Sequence, residues 1–251
     1  MIRLPLPRRP GWPFRRPIAT LSVVAGIGLL ALAQPLVPLG IQVTHGPRDV
    51  PAVALTFDDG LNGTYTIATA AALERGGAQG TFFAVGGTLA DQPEVVQRLR
   101  AGGHLLANHS SDHRTPSLIR DPLYRKLEQG QREFLAATGA CPRFYRPPHG
   151  VRTPVVSLAV RRSGMQLVNW DVEVQDWDAT DSRDLAARVL AEVQPGSIVL
   201  LHDGRDGRPG RDRRVLVEAI PLILDGLRER GLRAVRLDEL LGTTGSLERC
   251  P

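Results

Sequence analysis

Val53-Ala54-Leu55-Thr56-Phe57-Asp58-Asp59-Gly60 reads as a short apolar strand that ends on two carboxylates and a glycine. A helical segment follows over residues 66–75, and the same alternation then repeats along the chain. Strands are predicted at 81–85, 104–107, 143–145, 166–170, 198–201 and 233–235. Helices are predicted at 94–101, 123–137, 185–192 and 215–230. Alternation over so many units predicts an α/β fold whose parallel sheet rolls into a barrel, with its chemistry gathered at the C-terminal ends of the strands.

The chain has 251 residues, 42% of them hydrophobic and 23% charged, which suits one domain with a sizeable core and argues against disorder. The formal net charge of +5 invites a nucleic-acid reading. Yet Arg3, Arg8, Arg9, Arg15 and Arg16 precede the first acid, and the rest of the chain carries 26 basic and 26 acidic side chains. A phosphate-binding footprint belongs on the folded body, which is formally neutral, so no nucleic-acid partner is expected.

The basic leader runs into an apolar stretch at 18–33 that ends in Ala31-Leu32-Ala33, a small-residue cleavage pattern. Apolar character resumes over 36–43, so residues 1–33 read either as a cleaved signal peptide or as an uncleaved membrane anchor. Both export the body, to a secreted, periplasmic or membrane-anchored position. Residues 34–50, rich in proline and glycine, read as a linker, 51–241 as the domain and 242–251 as a C-terminal tail. Cys141 and Cys250 are the only cysteines. An oxidising compartment permits their pairing, and spacing alone leaves a bridge and two free thiols equally open.

Five motifs fall at or just past strand ends. In Thr56-Phe57-Asp58-Asp59-Gly60, neighbouring side chains of an extended segment point to opposite sides, so one carboxylate can bind a metal while the other meets a different partner. In His109-Ser110-Ser111-Asp112-His113, a helix start would place both imidazoles on one face. With Asp59 they would form a triad that leaves coordination positions open for water and substrate; the bland alternative is two solvated histidines. Tyr145-Arg146-Pro147-Pro148-His149-Gly150 is a stiff loop. Trp170 to Trp177 sets acids beside aromatics, and Leu200-Leu201-His202-Asp203-Gly204 ends an apolar strand on a histidine.

In this order the five motifs resemble the polysaccharide deacetylases, the NodB-homology domain of carbohydrate esterase family four, over about residues 51–241. The phrases Gly80-Thr81-Phe82-Phe83 and Gly103-His104 add to the likeness. The resemblance implies a distorted (β/α) barrel of seven or eight parallel strands, a single domain after the apolar leader. It implies a hydrolase that removes N-acetyl groups from amino sugars of a polysaccharide or oligosaccharide, whether peptidoglycan, chitin-like oligomer or exopolysaccharide. On that resemblance Asp58 is the general base, and Asp59, His109 and His113 hold one divalent ion, commonly zinc, with cobalt, nickel or iron also fitting. Arg146 orients Asp58, His202 is the general acid and Asp176 tunes it. Trp177 and Leu200 line the acetyl slot, and the amide at position 149 helps bind the oxyanion.

The sequence departs from the family pattern at three places: His149 stands where tyrosine is usual, Glu173 where aspartate is common, and Leu61 where proline often follows the first motif. The arginine-rich stretch 205–214 reads as a solvated charge run in preference to an anion site. The expected partner is an N-acetylated glycan, with membrane contact only through an uncleaved leader, and no protein partner is inferred. The rival reading is a catalytically inactive, membrane-tethered glycan-binding module on the same fold, since fold alone never proves activity.

Overall fold

The computed structural model describes residues 42–115, 121, 124–151 and 153–250. The leader at 1–33 and the first part of the proline-rich stretch lie outside the described residues. In chain order the elements are β1 (Gln42–Val43), β2 (Ala52–Asp58), α1 (Thr64–Arg75), β3 (Thr81–Ala84), α2 (Pro93–Ala101), β4 (Leu105–Asn108), α3 (Arg125–Thr138) and β5 (Phe144–Tyr145). They continue with α4 (Pro154–Arg162), β6 (Gln166–Val168), β7 (Val172–Glu173), α5 (Ser182–Glu192), β8 (Ile198–His202), α6 (Arg214–Glu229), β9 (Arg233–Val235) and α7 (Leu237–Leu240).

The sheet runs β1, β6, β5, β4, β3, β2, β8, β7, with β9 also on β2, and every strand pairing is parallel. The sequence order forces this sheet to curl. Strands β6 and β7 lie towards opposite edges, yet only residues 169–171 join them. That connector bonds to both sides: Asn169 N–H donates to the Val43 carbonyl (2.8 Å) and Asp171 N–H to the Ile198 carbonyl (3.2 Å). An antiparallel bridge from His45 to Ser197 helps draw the edges together. The result is a distorted (β/α) barrel, with nine strands among the described residues where seven or eight were expected. The additional ones are the two-residue strands β1 and β7, too short for any periodicity to reveal.

Alternation along β2 separates two cores. Ala52 and Ala54 point into the barrel with Phe83, Ala107, Phe144, Val168 and Ile198. Val53, Leu55 and Phe57 face outward onto Leu73 of α1, Leu99 of α2 and Ile220 of α6. Small residues on the inward face leave room above them for Thr56 and Asp58, which continue the same face at the strand's C-terminal end. Each fully buried large side chain on the outer face contributes roughly 1.5–3 kcal/mol.

The fold takes in residues from both flanks of 51–241. The sheet starts at Gln42, within the stretch read as linker, and Gly46 N–H donates to the Gly196 carbonyl (2.7 Å). At the other end Arg143 N–H bonds Gly245 O, Leu247 N–H bonds Cys141 O, and Cys141 and Cys250 form a disulfide with Cα atoms 5.5 Å apart. The bridge closes a sequence separation of 109 residues. Cys250→Ser is therefore expected to lower unfolding free energy by about 2–4 kcal/mol, chiefly through the unfolded chain. Denaturant midpoints of wild type and variant, with and without reductant, check this; a wild-type midpoint indifferent to reductant would refute it. No helix among the described residues is long and apolar enough to cross a membrane.

Candidate metal centre and catalytic cleft

Parallel register places the ends of β2 and β8 side by side, with Asp58 paired to His202. The loops after the two strands then touch. A Cβ on Gly60 would sit 2.6 Å from the Asp203 carboxylate, and one on Gly204 would sit 2.4 Å from the Asp59 carbonyl. Only glycine permits that approach, which is what sets Asp59 and His202 around one opening. The opening is a cleft of about 480 Å³ lined by Asp58, Asp59, His109, His113, His149, Trp177, Leu200 and His202, among others.

Asp58 is 3% exposed and held by Arg146, which is fully buried: Nη1 donates to Asp58 Oδ1 (2.6 Å) and to Thr56 Oγ1 (2.8 Å), and Nη2 donates to the Asn169 carbonyl (3.0 Å). The guanidinium lies over the Phe83 ring, 4.0 Å from its centroid. Burial pulls the guanidinium pKa down, and the charge and hydrogen bond of Asp58 oppose it. The pair is locked at one end of the carboxylate and leaves Oδ2 towards the cleft, 3.9 Å from His109 Nε2.

Asp59 takes a left-handed backbone (φ 69°) directly after the strand. Its Oδ1 lies 2.8 Å from His113 Nε2 and 3.5 Å from His109 Nε2, and the three donor atoms fall within 4.8 Å of one another. Burial pushes the Asp59 carboxyl up, but hydrogen bonds and charge from His109 and His113 outweigh it and hold the group well below the usual carboxylate range. His109 Nδ1 donates to the Arg146 carbonyl (2.8 Å), which fixes the tautomer and leaves the Nε2 lone pair to the cleft. One carboxylate and two imidazole nitrogens this close suit a divalent first-row ion, and the set could hold one.

The two histidines do not share a helix, as a helical start would have had it. Ser110 is left-handed (φ 73°), its N–H bonds Asn108 Oδ1 (2.7 Å), and the carbonyls of Ser110 and Ser111 accept from Gly86 (2.8 Å) and Gly87 (3.0 Å). These bonds take the backbone out of helical geometry at the second residue, and a tight loop against the turn after β3 delivers the same pair of imidazoles, ring centroids 5.1 Å apart.

Across the cleft, His202 Nδ1 pairs with Asp176 Oδ1 (2.8 Å), and Asp176 Oδ2 accepts from the His202 amide (3.0 Å). Burial works to lower this imidazole, but the Asp176 charge and hydrogen bond win, with Asp58 and Asp59 adding, and lift it to about 9. Trp177 is 40% exposed and meets His202 edge-on at 5.2 Å between centroids, while Leu200 is buried beneath. His149 is left-handed (φ 58°) and stands edge-on to His113 at 4.6 Å, its ring lowered first by burial and then by the His113 charge. All ten residues singled out in the sequence thus border or support this one cleft.

The fold has known relatives. The family model described as Polysaccharide deacetylase matches residues 45–168. A chitooligosaccharide deacetylase of Sinorhizobium fredii (strain NBRC 101917 / NGR234) is 34% identical over 196 residues, 75% of this chain and 91% of that protein. The chain belongs to the polysaccharide deacetylase family. With that it belongs to an enzyme class, the hydrolases. A peptidoglycan-N-acetylglucosamine deacetylase of Bacillus cereus is 30% identical over 214 residues, covering 84% of this chain and 98% of the relative. The crystal structure of the Bc1960 peptidoglycan N-acetylglucosamine deacetylase superposes with a TM-score of 0.75 at 27% identity, over 82% of this chain and 95% of that one.

Several supports of this deacetylase-family cleft were not read from the sequence. Asp203 is fully buried beneath it, accepts from the Thr66 hydroxyl, and is raised to about 7, first by burial and then by the Asp59 charge. Asn62, also buried, ties the loop after β8 to the loop after β2 through bonds to Asp203 O, Arg211 O and Gly210 N–H. A lone asparagine carries no signal of such a task. The arginine run divides: Arg213 turns inward onto the Gly204 carbonyl, Arg214 pairs with Asp212, and Arg205 and Arg211 border the cleft.

Proposed function

We propose that this chain is an exported, metal-dependent N-deacetylase acting on N-acetylglucosamine-type residues of a polysaccharide or oligosaccharide, as the names of its relatives suggest. The observation that carries the reading is one cleft holding a metal-donor set of one ionised carboxylate and two imidazoles, a carboxylate locked on Arg146, and an imidazole kept protonated by Asp176. An ion held by Asp59, His109 and His113, zinc in the first instance, would supply Lewis acidity to the acetyl carbonyl and lower the pKa of a water.

The residues of the chain do the rest. Asp58, its Oδ1 occupied by Arg146, keeps Oδ2 to take a proton from the attacking water. The His149 backbone amide donates to the carbonyl oxygen as negative charge develops there. His202, whose Nδ1 is committed to Asp176, offers the Nε2 proton to the departing sugar nitrogen, which makes amine expulsion feasible. Leu200 and Trp177 give the acetyl methyl an apolar slot and keep water off His202. Export fits the disulfide, which persists in oxidising compartments.

Nothing in the cleft favours an inactive module, because no donor, base or acid is displaced from it. The test is acetate release from defined N-acetylated glycans, including chitooligosaccharides and peptidoglycan fragments, with and without chelator. Acetate is expected, lost on chelation and restored by zinc. Binding of the glycans with no acetate from any of them, zinc present, would overturn the reading.

A further inference from the structure

The loop after β8 returns across the metal-donor side of the cleft, and one of its residues touches two of the three donors. Asp206 N–H donates to Asp59 Oδ2 (3.2 Å), the carboxylate oxygen turned away from the imidazoles. Its own Oδ1 lies 2.8 Å from His113 Nδ1, the nitrogen opposite the donor atom, close enough to meet an Nδ1–H though out of line for a hydrogen bond in this conformation. The next residue continues the clamp, with Gly207 N–H on the Asp59 carbonyl (3.1 Å). Asp206 is held there in a left-handed conformation (φ 52°), which aspartate and asparagine tolerate better than most side chains. Asn62 holds the same loop further on, at Gly210 and Arg211.

We infer that Asp206 is a positioning residue of the metal centre: its carboxylate orients His113 with Nε2 towards a divalent cation while its N–H holds Asp59 by the far oxygen. This rests on the metal reading above. The two histidines are thereby supported differently. His109 leans on a neutral carbonyl, and His113 on a carboxylate that both aims the ring and makes it a stronger donor. An outer carboxylate on a metal-bound histidine typically governs affinity by 10–100-fold. Asp206 is partly open to water, with 44% of its side chain exposed, so the lower end of that range applies.

The test is calorimetric zinc affinity of the chelator-stripped full chain, compared with D206N and D206A. Asparagine keeps the left-handed backbone and the N–H bond and removes only the charge. D206N is expected to bind zinc several-fold more weakly than wild type and D206A about tenfold more weakly, with metal-free thermal midpoints unchanged. Cobalt substitution gives a second readout, since a shifted visible spectrum in D206N would report a reoriented ligand. D206N equal to wild type in both readouts overturns the inference, whatever D206A does, because the loop conformation alone would then account for any loss. A wild type that binds no zinc sinks the metal reading itself, and this inference with it.

Discussion

Replacing Asp58 by asparagine is expected to lower acetate release by about 10³-fold while zinc affinity stays within a few-fold of wild type. The side chain has two separate tasks. Oδ1 accepts from Arg146, and an asparagine carbonyl oxygen can still do that. Oδ2 faces the cleft and the proposed water, and an amide nitrogen there accepts no proton, so a general base worth roughly 10²–10⁴ in rate is lost. The donors Asp59, His109 and His113 are untouched. The change also leaves a fully buried guanidinium without its counter-charge. With the hydrogen bond kept, the stability cost is about 1–3 kcal/mol, less than removal of the partner altogether. The measurement is therefore turnover, zinc affinity and thermal midpoint on the same sample, well below the variant's midpoint. Turnover within tenfold of wild type in a folded, zinc-loaded variant would remove Asp58 from its role.

The barrel was legible because its signal is repetitive. Strand and helix alternate often enough that an error at one element leaves the alternation intact, and Val53 to Phe57 is apolar on both faces because it is buried on both. Where periodicity is absent the sequence was silent. Strands β1 and β7 have two residues each, and α4 carries Val155, Val156 and Val160, a β-branched content that hides a helix announced only by Thr153 as its cap and Pro154 at its start.

The candidate donor set was legible for a different reason: its residue types are scarce, and each stands where a barrel puts chemistry. The route by which His109 and His113 meet was not, because loop geometry depends on Ser110 turning left-handed and on two glycine amides from a distant turn. Residues that act through others, such as Asn62, Asp203 and Asp206, have no pattern of their own. They become visible only when the loops after β2 and β8 are set side by side.

The alkaline side of the pH profile should belong to His202 and should move when Asp176 is changed. A general acid works only while protonated. The Asp176 carboxylate lifts this imidazole to about 9, so the rate falls as pH rises through that region. A bound cation nearby pulls the imidazole down somewhat, which places the alkaline limb at or below pH 9. In Asp176→Asn the charge is gone and burial, which lowers a histidine, is no longer outweighed. The limb is then expected to move well towards neutrality, with maximal turnover reduced about 10–100-fold by the misheld ring. His202→Ala should lose about 10²–10³-fold and the alkaline limb together. The same pair makes a stability statement of fixed sign. A folded-state pKa raised above roughly 6.5 contributes stability that is fully present below that pH and is lost as pH climbs through about 9. Wild type should thus show both a falling rate and a falling thermal midpoint across that window, and Asp176→Asn should show neither at the same place. An unmoved limb in Asp176→Asn would mean that some other group delivers the proton to the leaving amine.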